Sequence, residues 1–204
     1  MKKFLAIFSY LFHPLFVPVY ATLFYFLVAN TFFYKHEIYL AFIQILIVTV
    51  LLPLSIFYLL RSLGMMKTRM FEKKERRLPL AIYAMLLLFL IKYSLSIVVI
   101  PELYYYFTGC LISTVLALAL VLTGHKASLH MVAMASFTVF IISISAYYHI
   151  RFLNLIAFFV LCSGVVATSR LQAKEHSMGE VVLGTLLGII PQIGLWFVWL
   201  LPSV

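Results

Sequence analysis

The sequence predicts an all-α protein, a polytopic transmembrane bundle of six to seven spans forming a single integral membrane domain over residues 1–204. Three observations predict it. Apolar side chains make up 65% of the chain, mean hydropathy is +1.13, and only 10% of residues are charged, against about a quarter in a soluble domain. The apolar residues fall in continuous runs of spanning length, not in the short alternating segments of a transmembrane barrel. Nearly all the charge lies between the runs.

The runs, bounded by charge, Pro or Gly, lie at about 4 to 28, 38 to 60, 79 to 100, 103 to 123, 130 to 149, 152 to 168 and 180 to 201. The first follows Met1-Lys2-Lys3 and superficially resembles a signal peptide, but it is too long and has no small-residue cleavage site, so it reads as a span. It holds His13, Pro14 and Pro18, and prolines remove backbone donors, so a kink or a re-entrant break is expected there. Lys92 falls at mid-depth of the third run, where a snorkelling or amphipathic placement outweighs a functional one. Tyr104, Tyr105 and Tyr106, and Trp196 and Trp199, sit near run ends as an interfacial aromatic belt does, which is not a stacking platform for nucleic-acid bases. Cys110 and Cys162 lie inside apolar runs as small hydrophobes, so neither a disulfide framework nor a CxxC metal site is implied.

Charge narrows the chemistry. There are 15 Lys and Arg against 6 acidic residues, all Glu, for a net charge of +9. Without aspartate, intramembrane prenyl transferases, CDP-alcohol phosphotransferases and aspartyl-phosphate enzymes are excluded, because each uses Asp to hold metal or attack phosphorus. If all seven runs span, 12 cations share one face, whereas Lys35 and Arg151 lie on the other, with Lys92 between. The positive-inside rule makes the rich face cytoplasmic, in a multi-pass protein of the cell (inner) membrane. A site that binds phosphate would gather the same cations for a different reason.

Parity brings the connections after the second, fourth and sixth runs to that one face. The first, from Lys67 to Pro79, is dense in basic residues and opens the next helix with a proline at a permitted position. Alone, it reads as an anchor to anionic lipids. The second runs from Gly124 to His130. It places Ser128 and His130 at a helix entrance, where free N–H groups favour an anion; Ser128 would donate to a phosphate oxygen, Lys126 neutralise charge and His130 protonate a departing alkoxide. Alone, that Ser is a helix cap, and His125 is a poorer proton donor. The third connection, Ser169 to Glu180, sets Glu180 four residues after His176, one helical turn, so a carboxylate fixes the imidazole tautomer while Arg170 offers a planar fork to phosphate oxygens. Together the three suit metal-independent phosphoryl transfer.

The pattern Ser169-Arg170-x5-His176-x3-Glu180 resembles the third signature of the type-2 phosphatidic acid phosphatase superfamily, Ser-Arg-x5-His-x3-Asp, with Glu for Asp. The segment Glu180 to Gly188 is similar to the small-residue helix that follows it. Ala127-Ser128-Leu129-His130 resembles the second signature, Pro-Ser-Gly-His, keeping Ser and His. Arg77-Leu78-Pro79 and the pair Arg69 and Arg76 resemble the first, Lys-x6-Arg-Pro, as in a divergent bacterial membrane branch with a compact Arg-rich motif; Arg69, Lys73 and Lys74 all remain candidates for the lysine's place. The resemblance covers residues about 67 to 188. It implies a helical-bundle hydrolase of lipid phosphates that needs no metal or other cofactor. His176 attacks phosphorus to form a phosphohistidine, Glu180 orients it, and His130 protonates the leaving alcohol and then helps activate water. Arg170, Ser128, Arg76 or Arg77, and a basic residue upstream such as Lys73 hold the phosphate, with Lys126 adding charge. The expected partners are a lipid phosphate substrate and membrane lipids, with no nucleic acid. The departures at Leu78, Leu129 and Glu180 motivate a second reading, a catalytically weakened lipid-phosphate binder or transporter of the same fold.

Overall fold

The computed structural model describes residues 2–29, 33–64 and 74–200, so Lys67, Arg69 and Lys73 lie outside the described residues. Helices fill most of each apolar run, and the irregularities in the first two runs coincide with proline. The first run divides into α1 (Lys2–Leu11) and α2 (Val17–Val28). Pro14 cannot donate a backbone hydrogen bond, and beyond it the Phe16 and Val17 N–H groups both turn back to the His13 carbonyl, at 2.8 and 3.3 Å. The break expected at His13 and Pro14 is therefore present.

The second run is one continuous helix in which α3 (Lys35–Leu46) joins α4 (Leu52–Ser62) through a π-helical turn, Ile47–Leu51. Its cause is Pro53, whose ring would clash with the Thr49 carbonyl in an ordinary α-helix. In the widened turn the Leu52 N–H reaches the Ile47 carbonyl five residues back. A 3₁₀ turn (Lys74–Arg76) then leads into α5 (Arg77–Tyr93), which ends seven residues before the expected boundary. Ile100 precedes Pro101 and takes φ −134° and ψ 62°, outside the helical region. Lys92 is consequently not held at mid-helix. It stands exposed in the last turn, its ammonium 5.3 Å from the Tyr93 ring centre.

α6 (Pro101–Leu122), α7 (Leu129–Tyr147), α8 (Leu153–Gln172) and α9 (Met178–Leu200) complete the bundle, and no strand occurs among the described residues. Among the described residues, five helices are long and apolar enough to cross a membrane: Lys35–Ser62, α6, α7, α8 and Met178–Trp199 of α9. Large apolar side chains such as Leu153 and Leu161 on α8, and Ile190 and Phe197 on α9, are exposed, as in a bundle whose outer solvent is lipid. This is a helical membrane protein. α7 is its axis, with 67% of its apolar stretch buried against 39% at most in the other four.

Two polar features mark the ends of the bundle. At one, Glu102 in the first turn of α6 is buried and accepts hydrogen bonds from the Tyr25 hydroxyl at 2.9 Å and the Tyr148 hydroxyl at 2.7 Å. At the other, where α6 ends, the three polar connections meet. The Arg76 Nη1 donates to the Ala127 carbonyl at 3.4 Å, and the Lys126 Nζ donates to the Glu175 carbonyl at 3.0 Å. Helices α7 and α9 pack closely beneath this end because Gly184 and Gly188 have no side chain. A Cβ at Gly184 would stand 2.5 Å from the Ser128 carbonyl oxygen, and one at Gly188 would run into the Val132 carbonyl.

Candidate active site

His176 lies in the short connection between α8 and α9 and is only 8% exposed. Its neighbour Ser177 starts α9 as a capping box. The Glu180 N–H donates to the Ser177 hydroxyl and the Ser177 N–H donates to the Glu180 carboxylate, both at 3.3 Å. The same carboxylate accepts from His176 Nδ1 at 2.8 Å. The spacing of four thus works, although His176 is not itself helical: the capping box turns the carboxylate back over the helix entrance. With the proton on Nδ1, the neutral ring keeps its lone pair on Nε2. Burial, with smaller contributions from the Arg76 and Lys126 cations, holds the His176 pKa below the ordinary histidine value in spite of Glu180. The neutral form of the ring is therefore favoured, with a lone pair free on Nε2.

Lys126 lies 3.5 Å from the Glu180 carboxylate, tying the second connection to the third. The Ser128 N–H reinforces that link by donating to the Glu180 carbonyl at 3.0 Å. Ser128 itself is fully buried, with an Oγ that has no hydrogen-bond partner among the described residues. In the first turn of α7, His130 Nε2 sits 3.2 Å from the Ser9 carbonyl, which can only accept, so this nitrogen carries the proton. His125 is exposed, beside the Thr123 hydroxyl.

Arg170 occupies the last turn of α8, a turn beyond the expected end of that run. Its Nη1 is ion-paired with the Glu175 carboxylate, while its buried Nε lacks a partner among the described residues. Arg76 is buried at the foot of α5, but Arg77, one residue on and about 100° around the helix, is exposed.

A cavity of about 670 Å³ joins these groups. Its polar end is walled by Arg76, His130, Arg170, Glu175 and His176, with Ser9 and His13 from the first run. The rest of the wall descends into the bundle past Pro53, Phe57, Leu80, Tyr83, Tyr106, Cys110 and Ala133. Ser128, Lys126 and Arg77 do not line it. Among the described residues, no three His, Cys or carboxylate side chains converge as a metal site requires.

No family model, curated protein or solved structure matches this chain. The assignment of the site rests on its residues.

Of the residues singled out from the sequence, His176, Glu180, His130, Arg170 and Arg76 come together, with Lys126 and Ser128 directly behind them. Lys73 lies outside the described residues. Three contributors carried no signature: Glu175 on Arg170, Ser9 on His130, and His13. The only sequence signal for His13 was a polar ring beside helix-breaking prolines, which reads as a break before it reads as a site.

Proposed function

We propose that the protein is a metal-independent membrane phosphatase that hydrolyses a lipid phosphate through a phosphohistidine, as a divergent member of the type-2 phosphatidic acid phosphatase superfamily. One observation carries this reading. The three cation-bearing connections meet at the polar end of a cavity whose remaining wall is largely apolar, which suits an anionic headgroup on a hydrocarbon chain.

In this mechanism His176 Nε2 attacks phosphorus and the bond from phosphorus to the lipid oxygen breaks. Glu180, accepting from Nδ1–H, stabilises the charge that develops on the ring. Arg76 and Arg170 bind the phosphoryl oxygens, Arg170 exchanging Glu175 for its anionic substrate. His130, whose imidazolium is favoured by the negative charge of the bound phosphate, gives the Nδ1 proton to the departing alkoxide while the Ser9 carbonyl keeps hold of Nε2–H. The neutral ring then takes a proton from the water that attacks the phosphohistidine, and the cycle closes. Lys126 acts through Glu180 and the Glu175 carbonyl, holding the connections in register. The cation-rich face is read as cytoplasmic, in the cell membrane.

The purified protein should release phosphate from lipid phosphates such as phosphatidate or phosphatidylglycerol phosphate with EDTA present, be inhibited by vanadate, and lose activity in His176→Ala. Full turnover by that variant would remove His176 as the nucleophile.

A further inference from the structure

The chain brings a fourth segment to the site, from the broken first run. The break is built around His13: its carbonyl accepts from Phe16 and Val17, and its Nδ1 accepts from the Leu15 N–H at 3.3 Å. Because Nδ1 accepts, the neutral ring carries its proton on Nε2. No described residue bonds that Nε2–H. The ring packs edge-to-face on His130, centroids 5.3 Å apart, and lines the same cavity as Arg170 and His176. Its position is fixed from both sides, since Ser9 one turn earlier holds His130 through its carbonyl and donates its hydroxyl to Ser169 at 2.7 Å.

We propose that His13 is a substrate contact, donating Nε2–H as a neutral hydrogen bond to an oxygen of the phosphate bound over His176. This rests on the phosphatase reading for its substrate but not for its anion. A neutral imidazole is a poor acid, so the role is binding and charge stabilisation, without proton transfer. It also gives a reason for a histidine at the break, where the Leu15 N–H requires only an acceptor.

Two isosteres separate the two ring nitrogens. Asn at this position reproduces the Nδ1 acceptor and keeps the Leu15 cap, whereas Gln reproduces the Nε2 donor. Both variants, checked for folding by thermal unfolding in detergent, are assayed for orthophosphate binding and for kcat/KM on phosphatidate micelles. The expected result is a loss of roughly ten- to a hundred-fold in both readouts for His13→Asn, with most of it restored in His13→Gln. Wild-type values in His13→Asn, or a loss confined to His13→Gln, would overturn the proposal and leave His13 as a helix cap. If wild type turns over no lipid phosphate yet orthophosphate affinity follows the Asn and Gln pattern, the phosphatase reading fails and the His13 contact stands. Wild type that neither binds orthophosphate nor turns over substrate removes both.

Discussion

At the scale of single residues, the site turns on which nitrogen of His176 holds the proton. Glu180 fixes it on Nδ1 and raises the ring's pKa, while burial and the Arg76 and Lys126 cations lower it, and the lowering prevails. The pH dependence follows with a definite sign. Activity that requires the neutral ring is present above the depressed pKa and lost below it, so the acid limb should lie under the ordinary histidine value of about 6.5. Glu180→Gln removes the contributions that raise that pKa. The limb should therefore shift further acid even as the maximal rate falls by roughly a hundred-fold or more. A pH-rate profile checks both, and a limb moving towards neutrality would contradict the assignment. The relation of His176 to Glu180 was legible in the sequence because a spacing of four has few geometries. Glu175 on Arg170 and Ser9 on His130 were not, because an unpatterned Glu and a distant backbone carbonyl leave no local trace.

At the scale of elements, the site depends on how closely α7 and α9 approach, since one presents His130 and the other Glu180. Gly184 and Gly188, a turn apart, allow the contact, and the Ser128 N–H to Glu180 carbonyl bond is its upper end. Gly188→Val would drive a branched side chain against the Val132 carbonyl and Ala135, at a cost of about 1–3 kcal/mol. Thermal unfolding in detergent should register that loss, with kcat/KM falling in the fraction that remains folded. Unchanged stability and turnover would show the glycines to be incidental. Five of the runs appeared as spanning helices near their expected limits, because long apolar periodicity survives tertiary context. The first and third did not run their full length. Pro14 was read correctly as a break, with Pro18 in the first turn of the helix that follows, whereas the unbroken hydropathy across Ile97 to Ile100 gave no sign that α5 ends at Tyr93.

At the scale of the whole molecule, polarity is segregated. Buried Glu102 with its two tyrosines occupies one end, and the cation cluster with its cavity occupies the other. Parity placed the three connections together before any coordinate did; the cavity beneath them was not legible, because it is a space left between helices that no one segment encodes. If the cation-rich end is cytoplasmic, a cysteine replacing exposed Arg77, with Cys110 and Cys162 removed, should react with an impermeant maleimide only after cells are opened. Labelling in intact cells would reverse the orientation. The central claim is that phosphorus passes through a bond to His176. Rapid quenching during turnover of a lipid phosphate carrying radioactive phosphorus tests it most directly. The account predicts protein-bound label that is stable in alkali, lost in acid, and absent from His176→Ala; turnover with no trapped label, or label that persists in that variant, would contradict it.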